Sequence, residues 1–306
     1  MKKTVIHCPA KINLFLDVIC KRPDGYHNIE TIFQTISLSD SLEIELAASG
    51  TTITSNNSSI PLDETNLAVK AFRKLAGIVT YNGGIRIHIE KNIPPEAGLG
   101  GGSSNAAATL LAMNHLLQAG MSEAQLCALG GELGADVPFF IFGGLAAAWQ
   151  IGDKMLQLPP LPGSHLVVAI PHNVAVSTKE AYGTLGAAEC KNALPESLSD
   201  CSERLRANVG ALRSSTPLPD IEKITSILYN AFEQPVFTQY PAIARMKDAL
   251  LAAGARGALM SGSGSAVFAL ADSSEHAREI KDTVESASNC KCLVAQTIDG
   301  GCAWES

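Results

Sequence analysis

In Ile85-Arg86-Ile87-His88-Ile89-Glu90 apolar and polar residues alternate without a break, the pattern of a strand with one buried face. Ala106-Ala107-Ala108-Thr109-Leu110-Leu111-Ala112-Met113 is instead rich in helix formers, apolar at helical spacing, and predicts a helix running to about Gln118. Residues 11–20 and 28–38 read as strands around an Asp24-Gly25 turn, and 42–46 as a short strand. Residues 66–76 predict a helix capped by Asp63, Thr65 or Asn66, and Ser122-Glu123-Ala124-Gln125 opens another that ends near Gly130-Gly131 or Gly134. Pro159-Pro160-Leu161-Pro162-Gly163 is rigid and turn-rich, and places a domain boundary between 1–160 and 161–306. After it come a strand at 165–170, a loop at 171–178 and helices at 220–232 and 241–253. A strand ending near Met260, a strand at 266–270, a helix at 275–287 and a strand at 292–298 follow. Strands paired with two or more helices suggest an α+β layer of ferredoxin type for this second half. Residues 186–218 are polar and Ser-rich and predict no element, and no internal repeat is present.

Between the 85–90 strand and the following helix lies Gly98-Leu99-Gly100-Gly101-Gly102-Ser103-Ser104. Free N–H groups and the positive end of a helix dipole attract phosphate there. Glycine lets the backbone come close to the anion, and Ser103 and Ser104 add hydroxyls that can cap the helix, touch phosphate or hold magnesium. The run also reads as a Gly/Ser surface loop with an ordinary serine cap, but its place between a good strand and a good helix favours the phosphate site. A Walker A loop needs Lys after its last glycine, where Ser103 stands; a dinucleotide fingerprint needs Gly or Ala there. The loop therefore suggests a nucleoside triphosphate site of another type.

Composition narrows the classes. The 306 residues are 46% hydrophobic and 17% charged, which suits a folded core, and the net charge of −7 argues against a nucleic-acid binder. The eight cysteines are scattered without a zinc spacing, and read as free thiols of a cytoplasmic protein. Cys290-x-Cys292 fits one face of a strand. Lys2-Lys3 resembles a basic leader, but Lys11 and Asp17 interrupt the apolar stretch behind it. Residues 97–122 carry no Asp, Glu, Lys or Arg, yet their glycines, serines and asparagines argue against a membrane span.

Four further segments carry candidate chemistry. On a strand, Lys11, Asn13 and Asp17 share one face, either as a donor pair for a polar substrate or as a solvated face. Asp136 precedes Val137-Pro138-Phe139-Phe140 and reads as a helix N-cap, as a general base held beside an apolar segment, or as both. Asp24-Gly25-Tyr26-His27 is a hairpin turn at least; Tyr26 and His27 together could also hold a nucleobase by stacking and hydrogen bonding. Ser261-Gly262-Ser263-Gly264-Ser265 is either a tight hairpin or a loop that closes over bound substrate, and the second reading is favoured.

With these segments in place, the chain resembles the GHMP kinases, through Pro9-Ala10-Lys11-Ile12-Asn13-Leu14, Pro94 to Ala107, and Ser261 to Ser265, in that order. Arg22-Pro23-Asp24-Gly25-Tyr26-His27 and Leu133-Gly134-Ala135-Asp136-Val137-Pro138-Phe139-Phe140 resemble the members whose acceptor alcohol is carried on cytidine diphosphate. The resemblance implies an N-terminal nucleotide-binding α/β domain with a left-handed βαβ crossover, a ferredoxin-like C-terminal domain and a site between them. It further implies ATP phosphates along Pro94 and Gly98 to Ser104, the ATP nucleoside near Asn66, and Mg²⁺ bridging phosphate oxygens. Asp136 would be the base, Lys11 its partner, and Asn13 a substrate contact. Tyr26 and His27 would hold the cytosine, with Tyr182 on its other face. Partners would be small molecules, neither nucleic acid nor membrane, for a cytoplasmic monomer or homodimer. Two rivals remain: a kinase for another small alcohol, such as homoserine or a mevalonate-type acid, and a nucleotide-binding regulator without chemistry.

Overall fold

The computed structural model describes residues 3–161, 163–191, 193–214 and 220–304. Lys2, Pro162 and residues 192 and 215–218, named in the readings above, lie outside them. Two long antiparallel strands form the spine, β1 (Lys3–Lys21) and β2 (His27–Ala47), joined through the Asp24-Gly25 turn. The reading of 42–46 as a separate strand is corrected: those residues are the far end of β2. There follow β3 (Thr51–Ser55), α1 (Leu67–Ile78), β4 (Gly84–Glu90), α2 (Gly101–Leu116), α3 (Glu123–Gly131), α4 (Val137–Phe142), β5 (Leu145–Gln150) and β6 (Lys154–Gln157). The second half holds β7 (His165–Pro171), α5 (Thr178–Thr184), α6 (Glu203–Arg213), α7 (Ile221–Ser226), β8 (Tyr229–Asn230), α8 (Glu233–Gln239) and α9 (Pro241–Ala252). It closes with β9 (Gly257–Met260), β10 (Val267–Ala271), α10 (Ser274–Ala287), β11 (Cys290–Gln296) and β12 (Ala303–Trp304).

The first sheet runs β12-β1-β2-β4-β3, with β5 on β2, β6 on β5 and β8 on β1. Strands β3 and β4 are parallel and α1 crosses between them. The second sheet is antiparallel in the order β11-β7-β10-β9. Counted along the second half, that is fourth-first-third-second, the ferredoxin-like order, with α9 and α10 packed on it. The sheets share a core: Ile12, Leu14 and Ile36 of the first meet Val168, Leu259 and Phe268 of the second. Strands β8 and β12, from beyond residue 160, complete the first sheet on β1.

Helix α2 is sheathed in protein, with eleven buried residues, which explains its lack of a polar face. Helix α6 lies in the segment for which no element was expected. Ser202 caps it, and Leu205, Val209 and Leu212 form a buried stripe, a helical signal that surrounding polar residues masked. The helix expected over 220–232 breaks after Ser226. The chain turns extended so that Tyr229 and Asn230 pair with Phe15 and Leu16 of β1.

One buried ion pair joins the spine to the region before α2. Asp40 accepts at Oδ2 from Lys91 Nζ (2.6 Å) and Asn105 Nδ2 (2.9 Å), and at Oδ1 from the N–H groups of Asn92 and Ile93 (2.8 Å each). Both charged side chains are almost fully buried. The fully satisfied carboxylate fixes where β4 ends and where the glycine run begins. Asp40→Ala strands the Lys91 ammonium inside the protein and is expected to cost about 3–5 kcal/mol, read from the denaturant midpoint. Removal of the exposed Arg73–Glu64 pair, by contrast, is expected to cost under about 1 kcal/mol.

Candidate active site

A cleft of about 1140 Å³ is lined from both halves of the chain. The glycine run forms one wall. Gly100, at φ +72°, is the N-cap of α2, and no side chain caps that helix end. The first-turn N–H groups of a 16-residue helix are therefore left to a ligand. Glycine is required by contact as well as by conformation. A Cβ on Gly98 would meet the Ser261 carbonyl oxygen at 2.1 Å, and one on Gly100 the Phe140 ring at 2.6 Å.

Pro94, Leu99, Gly101, Gly102, Ser103 and Asn66 line the cleft with these two. Ser104 does not. Its N–H bonds to the Gly100 carbonyl, and its fully buried hydroxyl lies 3.7 Å from Cys302 Sγ, on the far side of α2. The expected phosphate role of Ser104 is thus corrected; helical rotation turns Ser103, not its neighbour, toward the cleft. Asn66 caps α1, accepting from Ala68 N and donating to the Pro61 carbonyl.

Lys11 and Asp136, 125 positions apart in sequence, meet at 3.7 Å between Nζ and Oδ2. Lys11 is buried and also donates to Asn13 Oδ1 at 2.7 Å, with its ammonium 5.1 Å from the Phe33 ring centre. Burial pushes the Lys11 ammonium below the usual lysine range, and Asp136 opposes that shift. Asp136 precedes α4 with Pro138 in the first turn, as expected, but its side chain makes no cap hydrogen bond. Its backbone is helical (φ −81°, ψ −14°), not the extended form a capping side chain needs, so the carboxylate is left for Lys11 and the cleft.

The strand alternation that grouped Asp17 with Lys11 and Asn13 does not hold. A register shift between Asn13 and Phe15 resets the faces, and Leu16 lines the cleft in place of Asp17. Asn13 also lines it, but both ends of its amide are engaged by protein, with Nδ2 donating to Thr31 Oγ1 at 2.8 Å.

At the other end of the cleft Tyr26 is 63% exposed and His27 follows it into the wall. The Tyr182 ring stacks on His27 at 4.6 Å, with Phe232 edge-on behind it at 4.8 Å. Tyr26, His27 and Tyr182 all line the cleft, and Tyr182 covers His27 directly. Burial and nearby Lys21 push His27 below the usual histidine range, so its ring is neutral at pH 7 and offers one donor and one acceptor.

The second glycine loop was expected to close over bound substrate, while Asn230 and Lys91 escaped the sequence reading. The second glycine loop packs on the first: Ser261 Oγ donates to the Gly98 carbonyl at 3.0 Å. Asn230 holds that loop by donating to the carbonyls of Met260 and Gly262, and Ser263 meets Thr178, hydroxyl to hydroxyl, at 3.0 Å. Lys91 also reaches the cleft beneath Gly101. Only the Ser261 loop carried a signal, its glycines; Asn230 and Lys91 are single polar residues in ordinary contexts.

The expectation of eight free thiols is corrected. Cys20 and Cys190 form a disulfide, and the other six cysteines are free. Backbone bonds between Lys21 and Ala188 and between Cys190 and Lys21 align the two segments. The bridge therefore ties the end of β1, beside Tyr26 and His27, to the chain that leaves Tyr182. Spacing could not reveal it, because the partners stand 170 residues apart. Among the described residues, no helix is long and apolar enough to cross a membrane.

Residues 66–144 match the description "GHMP kinases N terminal domain" and residues 210–289 "GHMP kinases C terminal". The chain belongs to the GHMP kinase family, and so is a phosphotransferase. It is 36% identical over 305 residues to a Gloeobacter violaceus protein named 4-diphosphocytidyl-2-C-methyl-D-erythritol kinase, covering 100% of this chain and 98% of that one. A crystal structure of 4-(cytidine 5'-diphospho)-2C-methyl-D-erythritol kinase superposes with TM-score 0.75 at 35% identity, covering 98% of this chain and 100% of the other. A homoserine kinase from Cytophaga hutchinsonii shares the fold, with TM-score 0.73 at 24% identity over 100% and 98% of the two chains.

Thiol titration of the denatured, unreduced protein is expected to find six reactive cysteines and, after reduction, eight. Cys20→Ser is expected to lower stability by about 2–5 kcal/mol, because a cross-link over so long a loop restricts the unfolded chain. An unreduced count of eight would remove the bridge.

Proposed function

We propose that the chain transfers the γ-phosphate of ATP to the 2-hydroxyl of 4-diphosphocytidyl-2-C-methyl-D-erythritol. The products are the 2-phosphate and ADP, in the non-mevalonate route to isoprenoid precursors in the cytoplasm. The observation that carries the reading is the Lys11–Asp136 pair, 3.7 Å apart at the edge of the glycine run and in one cleft with Tyr26, His27 and Tyr182. A homoserine or mevalonate-type acceptor carries no base to stack, whereas this end of the cleft presents Tyr26, His27 and Tyr182, with Lys21 and Lys179 also in its wall.

Phosphoryl transfer asks a protein mainly for placement and charge stabilisation. The triphosphate lies along Gly98 to Ser103, its charge met by the free N–H groups at the head of α2. Asp136 takes the proton from the acceptor hydroxyl as the oxygen attacks. Lys11 orients that carboxylate and offsets charge gathering at the transferred phosphate. Tyr26 and His27 hold the cytosine, and Tyr182 moves off His27 to cover its other face. Mg²⁺, when bound, supplies further charge neutralisation on the phosphate oxygens. Among the described residues no cluster of three His, Cys, Asp or Glu could hold a metal alone. The half-buried Ser103 hydroxyl beside the cleft fits an ion that arrives with the nucleotide. The division into domains 1–160 and 161–306 belongs to the same proposal, with the cleft between them.

Asp136→Asn is expected to lower kcat by roughly 10²–10⁴-fold while ATP binding persists. Turnover within a few-fold of the parent would remove the general-base role. Tyr26→Ala and His27→Ala are expected to raise KM for the cytidine substrate far more than KM for ATP, measured by coupled ADP release. Unchanged acceptor KM in both would argue against the cytosine pocket. Offering homoserine, mevalonate and the cytidine substrate in turn, beside ATP binding alone, separates this kinase from another kinase and from a silent nucleotide binder.

A further inference from the structure

We propose that Thr31 is a positioning residue: through the Asn13 amide it sets the polarity of the hydrogen bond that holds the Lys11 ammonium beside Asp136. The inference rests on the reading of Lys11 and Asp136 given above. Thr31 lies in β2 opposite Leu16, with none of its surface exposed. Its hydroxyl is 2.6 Å from the Phe15 carbonyl oxygen, which can only accept, so the hydroxyl proton is committed there. Toward Asn13, at 2.8 Å, the same oxygen can then only accept. Asn13 must therefore turn its NH₂ to Thr31 and its carbonyl oxygen to Lys11, at 2.7 Å. The flipped amide would set NH₂ against an ammonium, donor against donor, and an oxygen against a hydroxyl whose proton points elsewhere.

The order Phe15 carbonyl, Thr31, Asn13, Lys11 is thus a one-way relay of donors. It ends on a backbone oxygen that the strand pairing fixes. The register shift between Asn13 and Phe15 falls within this network, where side chain and carbonyl reach one hydroxyl. The groups facing the Lys11 ammonium are Asp136 from the head of α4, Asn13 from β1, the Phe33 ring from β2 and the Gly262 backbone from the second glycine loop. Asp136 is the charged one, and the Tyr182 hydroxyl from α5 is the further titratable group near it. Asn13 supplies the neutral acceptor that keeps a buried ammonium in place without a second negative charge.

Thr31→Val keeps the shape and removes both the donor and the acceptor; Thr31→Ser keeps the hydroxyl. In Thr31→Val the amide loses its anchor and Lys11 loses a firm acceptor. The expected result is kcat lower by about tenfold, with KM for ATP and acceptor each within about twofold of the parent. A weaker hydrogen bond to the ammonium favours its neutral form, so the alkaline limb of kcat moves to lower pH. The Lys11 titration, followed by NMR of protein labelled at lysine side chains, moves the same way. Thr31→Ser restores both readouts. Asn13→Asp adds a negative charge beside the ammonium and moves the titration to higher pH.

Parental kcat and titration in Thr31→Val would overturn the relay, as would Thr31→Ser as impaired as Thr31→Val, or no upward shift in Asn13→Asp. If Thr31→Val gives no folded protein, Thr31→Ser and Asn13→Asp decide on the same readouts. The titration needs no turnover, so the relay is judged separately from the reaction: an active Asp136→Asn enzyme sinks the general-base reading whatever Lys11 titration shows.

Discussion

A lysine ammonium buried where two sheets meet is tolerated only if its charge and its donors are answered, and the site is built around answering Lys11. Its stem lies against Gly100, where a Cβ would sit 3.1 Å from the Lys11 Cγ. Its head faces Asp136, Asn13 and the Phe33 ring, and its own N–H bonds to the Leu99 carbonyl in the glycine run. One residue thereby joins β1, the glycine wall and the head of α4. The desolvation that lowers the lysine's proton affinity also strengthens its attraction for a carboxylate or a phosphate, because little water remains to screen them.

The second constraint is steric. The Ser261 loop and the Gly98 loop pack backbone on backbone, at distances only glycine permits. Neither loop is free to wander: Asn230 pins one, and the carboxylate of Asp40 anchors the strand end that feeds the other. What began as two Gly/Ser-rich runs, a composition usual in flexible linkers, is a rigid pair of facing walls. A preorganised cradle of this kind lets N–H groups meet phosphate without first losing chain entropy at the moment of binding.

The aromatic end of the cleft is held differently. Tyr26 stands exposed on a turn, while Tyr182 sits on a seven-residue helix against His27 and Phe232. The Cys20–Cys190 bridge fastens the segments behind these rings to one another. The glycine wall thus rests on close packing and buried charge. The aromatic wall rests on ring contacts and one cross-link.

Much of this was legible in the residues alone. Hydrophobic periodicity located β4, α9, α10 and β11, each of which buries one regular stripe, and apolar runs located α2, β7, β9 and β10. The glycine run, Lys11, Asp136 and the Tyr26-His27 pair announced themselves through local pattern and motif. Most of the misreadings share a cause, a partner elsewhere in the chain, while α6 was hidden by the polar residues around its apolar stripe. A register shift against β2 replaced Asp17 by Leu16; the turn of α2 hid Ser104 against Cys302; a parallel pairing with β1 broke the helix expected at 220–232; and Cys20 found Cys190. The sequence by itself determined which segments could bury a face and which backbone could approach an anion. Only the tertiary structure decided which way each side chain turned and which distant group met it, because contacts between residues a hundred positions apart leave no local period to read.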